Sequence, residues 1–274
     1  MKTLFGTKML KTYMLKFGAR LLVFFSVLWV YLRYKEEVSA LLVQPMWRRV
    51  TPLHVLWVFF MCLMLSHLFP LRAFTMALRK VRARDYIPVP GYSEQELYHF
   101  VKDQNVKAWK VMLLWLLFNS LWGFLYLMGW IDNADLLMLT VFYFLCDYVC
   151  ILFYCPFQNG IMASRCCVNC RIYDWGHFMM FTPMLFIRNF FSWSLFAVSC
   201  VVLIRWEITY AKYPERFWSG SNQALQCACC KDKTCQIKRR IESLPVSRRL
   251  QSIIFRKNPN MTHAAQPAGE EHRL

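Results

Sequence analysis

Apolar residues in this chain gather into runs with little or no charge, most of them about 20 residues long, the length that carries a helix across a hydrocarbon core of ~30 Å. The runs lie at about 21–32, 53–71, 111–131, 136–157 and 178–204. Polar links separate them. A basic stretch with interleaved apolar residues covers 1–20 and reads as an amphipathic helix on or entering a membrane. The pattern predicts an all-α integral membrane bundle of four to five apolar segments, occupying 21–204, with a small cysteine-rich cytoplasmic cap.

Local signals refine the segments. Ser93-Glu94-Gln95-Glu96 has the form of a capping box and predicts a helix start that runs toward the third segment. Asp132-Asn133-Ala134-Asp135 is a tight polar turn and makes the third and fourth segments an antiparallel hairpin. Pro183, Arg188 and Asn189 interrupt the fifth run, so it is expected to dip in without crossing. A cysteine-rich link occupies 164–176, and a cysteine-rich basic tail occupies 205–256. That tail ends in a predicted amphipathic helix over 236–255, and 257–274 reads as disordered.

Composition agrees with the pattern: the chain is 57% hydrophobic and 17% aromatic, against about 45–50% apolar for soluble domains. The net charge of +17 changes the picture through its placement. If the fifth run returns to its starting side, 29 Lys and Arg fall on one side and 4 on the other, the asymmetry expected with the basic side cytoplasmic. The basic segments then meet anionic lipid, and no nucleic-acid motif accompanies them. After the first apolar run comes Arg33-Tyr34-Lys35-Glu36-Glu37, so that run is read as a retained span rather than a cleaved signal.

The candidate chemistry lies in thiols. Of 12 cysteines, seven fall in two runs: Cys166, Cys167 and Cys170, then Cys227, Cys229, Cys230 and Cys235. Cys167/Cys170 and Cys227/Cys230 are two C-x-x-C turns, each able to present a close pair of sulfurs. Meeting at one membrane face, they would hold zinc or an iron–sulfur cluster, with Cys155 as a further candidate ligand. This predicts a membrane metalloprotein in electron transfer or redox sensing, with a redox or membrane protein partner. Redox-active dithiols and acylated or inert thiols are the alternatives. A zinc clamp in a structural or regulatory protein is another reading.

Asp147 and Arg188 are charges at membrane depth and are expected to pair; lining the path of a small transporter or channel is the other role open to them. His54 and His67 lack facing partners for haem and read as interfacial. No phosphate loop, nucleophile elbow or H-E-x-x-H motif is present, and no substrate follows from the sequence.

Overall fold

Helix α1, Lys8–Val43, joins the basic N-terminal stretch and the first apolar run into one 36-residue element whose backbone leaves helical values at Tyr34. The computed structural model describes residues 8–44, 51–68, 76–235 and 237–238. The amphipathic helix and disordered tail expected beyond 236, the end of the second apolar run at 69–71 and the link at 45–50 lie outside the described residues. Residues up to Cys235 form one unit and Gln236–Leu274 a second.

The other helices are α2 (Pro52–Leu68), α3 (Met76–Arg79), α4 (Glu94–Leu127), α5 (Asn133–Leu152), α6 (Gly176–Phe181) and α7 (Phe190–Lys212). Among the described residues the chain is all-helical and forms no strand; one isolated bridge joins Pro88 and Asn222. Four helices, α1, α4, α5 and α7, are long and apolar enough to cross a membrane, and α2 is a shorter apolar helix of 17 residues. Their outward faces carry bare apolar side chains such as Leu22, Phe25, Leu117, Leu121, Val201 and Ile204. Exposure on that scale suits hydrocarbon, not water.

Capping residues set the helix starts. Ser93 accepts a hydrogen bond from the Glu96 amide and opens α4, which continues for 34 residues into the third apolar run. Asp132 and Asp135 form a reciprocal capping box that opens α5. The 178–204 run is not one segment. Pro183 lacks a donor, the helix tightens into a 3₁₀ turn over Thr182–Phe186, and Ile187 is extended. Asn189 then precedes α7 and spends its side chain elsewhere, donating to the Leu42 carbonyl at 2.5 Å.

Contacts fix the helix directions. Tyr13 meets Tyr148, Arg20 meets Asp147, and Lys35 meets Asp135, so α1 and α5 are antiparallel. Tyr126 donates to Asn133 and Tyr143 to Asn119, so α4 and α5 form the expected hairpin. His54 and Trp57 pack on Phe191 and Phe190 near the starts of α2 and α7. The later parts of both helices reach the 171–175 link through His67–Asp174 and Arg171–Glu207. Residues 176–189 therefore run from the His67 end of the bundle to the Leu42 end, and α7 runs back.

The two cysteine-bearing segments share one end of the bundle with the start of α1. Val168 packs with Leu225, and Cys166 and Cys230 pack against that pair. Lys80 Nζ donates to the Cys170 carbonyl at 3.2 Å, and Tyr13 donates to Asp232.

The expected ion pair of Asp147 with Arg188 is not formed. Asp147 takes Arg20 of α1 at 2.8 Å. The reason is the break in the fifth run. It leaves Arg188 beside Asn189 at the Leu42 end, while Asp147 lies far along α5 at the other end, against Gly176.

Candidate functional site

The end of α5 and the link that follows it collect thiols. Cys146 and Cys150 lie one helical turn apart on α5, and Cys155 follows the helix end. Cys150 and Cys155 neighbour each other, and Cys155 Sγ accepts from the Gln158 amide at 3.4 Å. A single π-helical turn over Phe157–Ile161 then swings Gln158 inward, where it is buried. Gln158 Oε1 accepts from the Cys167 thiol at 3.0 Å, and its amide donates to the Ser164 carbonyl at 3.1 Å. The 3₁₀ turn Cys167–Asn169 follows, so the first C-x-x-C is a tight turn as its spacing implies. Cys167 and Cys170 both point inward and are buried.

One cavity of about 540 Å³ touches five of these residues: Cys146, Cys150, Cys155, Cys167 and Cys170. Its remaining wall is largely apolar and aromatic, including Trp115, Phe118, Phe142 and Tyr143. Lys80 lies close by. Burial lowers its pKa to about 8, against the pull of the neighbouring Cys170, Cys166 and Cys167. Burial also raises the Cys170 thiol above its ordinary value, with the Lys80 charge opposing. Cys170 is thus a protonated thiol at neutral pH.

The second run sits differently. Cys227 and Cys229 are exposed on a 3₁₀ turn, whereas Cys230 and Cys235 are half-buried. Cys230 reaches the Val168–Leu225 contact together with Cys166. The two runs therefore adjoin through Cys166 and Cys230. Among the described residues, no three His, Cys, Asp or Glu side chains converge into a metal-binding group.

A second polar cluster has no counterpart in the sequence reading. His67 Nδ1 is 2.8 Å from Asp174 Oδ1, and its Nε2 is 3.5 Å from His177 Nε2. Asp174 is buried, which raises its pKa, while the bond to His67 pulls it back down. His177 is buried, and its Nδ1 has no hydrogen-bond partner among the described residues. His54 has a bland role, resting edge-on against Phe191 with Nδ1 near Thr51. The sequence offered one signal for the cluster, the proximity of Asp174 to His177. Its third member is 107 residues from Asp174.

Among the described residues the protein is all-helical, with four helices long and apolar enough to cross a membrane, consistent with a membrane protein. The chain matches no protein-family model, no curated protein and no solved structure.

Proposed function

We propose that this chain is a multi-span membrane protein of thiol-based electron transfer or redox sensing. The cavity bordered by five cysteines is the observation that carries the reading. A neighbouring thiol pair, Cys150 and Cys155, borders an aromatic-walled, mainly apolar space. That space suits a lipid-soluble two-electron acceptor of the quinone class. Oxidation of the pair breaks two S–H bonds, forms one S–S bond and releases two electrons and two protons. The quinone takes up both and leaves as hydroquinone. Cys167 and Cys170 are the next dithiol, placed to exchange with the first. In this reading the thiol-bearing end forms a cap facing the cytoplasm. The concentration of Lys and Arg in the segments gathered at that end supports this orientation.

The packing of Cys166 and Cys230 against the Val168–Leu225 pair favours a second reading. There the two runs bind an iron–sulfur cluster or zinc through Cys167, Cys170, Cys227 and Cys230, with Cys235 next. Both readings are tested on anaerobically purified full-length protein. Adding a short-chain quinone and mapping peptides under non-reducing conditions is expected to yield a Cys150–Cys155 linkage. The C150S/C155S variant is expected to abolish quinone reduction. Iron with sulfide, or one zinc per chain, lost on Cys167/Cys170→Ser, would select the metal reading. Neither metal nor a quinone-dependent disulfide would refute both.

A further inference from the structure

A second cavity of about 1040 Å³ lies between α1, α2 and α5 and is closed on one side by Tyr173, Asp174, Gly176 and His177. Its charged and imidazole lining comprises Lys16 and Arg20 from α1, His67 from α2, Asp147 from α5, and Asp174 and His177. The α2 wall is apolar, with Val55, Phe59 and Leu63. Val55 and Phe59 are also about half to two-thirds exposed on the outside of the helix, so the cleft opens sideways onto the face that hydrocarbon would cover.

The cations of the cleft are not equally matched. Arg20 is matched by Asp147, and His67 by Asp174. Lys16 has no ion-pair partner among the described residues and lies one turn before Arg20 on the same helix. Lys16 and Arg20 thus share the cleft with Asp147, which answers Arg20, and with Asp174, which is held by His67; neither carboxylate forms an ion pair with Lys16 among the described residues. His177 adds a ring nitrogen without a partner among the described residues. Lys16 is exposed near the start of α1; in a membrane-spanning bundle a cation there without a carboxylate partner would attract an anion arriving along the bilayer. A polar end joined to an apolar, laterally open wall is complementary to an amphiphile, not to a small hydrophilic ion.

We propose that this cleft binds one anionic lipid, with its phosphate against Lys16 and Arg20 and an acyl chain along the Val55–Phe59–Leu63 wall. The site adjoins the thiol cavity, sharing Asp147, Ile151, Tyr173 and Gly176 as a common wall, but takes a different ligand and does not depend on the redox reading.

The test uses the full chain in nanodiscs of phosphatidylcholine with a minor fraction of phosphatidylglycerol, followed by detergent exchange and native mass spectrometry. One phosphatidylglycerol is expected to stay bound per chain. Lys16→Gln should reduce that retention about tenfold, since one charge-assisted contact is worth roughly 1.5 kcal/mol, and Lys16→Arg should restore it. Lys110→Gln removes an exposed cation on α4 outside the cleft and should leave retention unchanged. Millimolar inorganic phosphate should not displace the lipid. Equal retention of phosphatidylcholine would overturn the proposal. So would equal losses for Lys16→Gln and Lys110→Gln, which would mean general attraction to the lipid annulus. Displacement by phosphate would make the site one for a free anion and overturn it as well.

Discussion

Single residues decide the electrostatics of this molecule. Lys80 is buried with its amine against the Cys170 carbonyl, and its pKa falls from 10.5 to about 8 because burial penalises the charge. Between pH about 8 and 10.5 the unfolded chain therefore holds a proton that the folded chain has released. Stability should rise with pH across that window. The raised thiol of Cys170 acts with the opposite sign above its ordinary value of 9.0, because the unfolded chain ionises first. The net expectation is a rise from pH about 8 to 9 that flattens above. Thermal unfolding in detergent should show this rise, and Lys80→Met should remove it. The Arg20–Asp147 pair makes a second prediction. Arg20 is also stacked on Phe144 and Tyr148 at about 4 Å, so the cation is held from several sides. Asp147→Asn leaves it without its anion and should destabilise the fold by about 2 kcal/mol, below the full buried-pair cost because Asp147 is partly exposed. A large part of that loss should return in the Arg20→Gln/Asp147→Asn double variant, read by the same melt.

At the scale of elements, two glycines set how closely helices approach the leg 176–189. A Cβ on Gly123 of α4 would fall inside the Phe186 ring, and one on Gly176 would lie 2.9 Å from Asp147 Oδ1. Close packing of the broken leg against α4 and α5 depends on both. Gly123→Val should force the Phe186 ring aside and cost about 1–3 kcal/mol. Gly123→Ser, which adds less bulk, should cost less, and a reversed order of the two melts would contradict this packing argument. The helix starts were legible in the sequence because capping is local: Ser93 with Glu96, and Asp132 with Asp135, lie three residues apart. The division of the 178–204 run was only half legible. Pro183 and the Arg188-Asn189 pair announce an interruption, but whether the chain reverses there is decided by Asn189 reaching Leu42, 147 residues away.

For the whole molecule, the alternation of directions has a consequence for the membrane. The α4–α5 turn lies at the end opposite the cysteine segments. In a membrane-spanning bundle, an epitope inserted after Asp132 and one inserted after Lys231 should therefore be reached by antibody from opposite sides. Detection of both in intact cells, or of neither before permeabilisation, would show that the bundle does not cross as its helix directions imply. By itself, the sequence determined the apolar runs, the α4–α5 hairpin and the clustering of thiols in two runs. These depend on composition and on spacings of a few residues, where the chain's own geometry dictates who meets whom. Only the tertiary structure decided that Asp147 answers Arg20 and not Arg188. It also drew Cys146, Cys150 and Cys155 into one cavity with the first C-x-x-C and joined His67 to Asp174 and His177. Those meetings depend on helix direction and rotation, which long-range packing sets and which no local pattern of residues records.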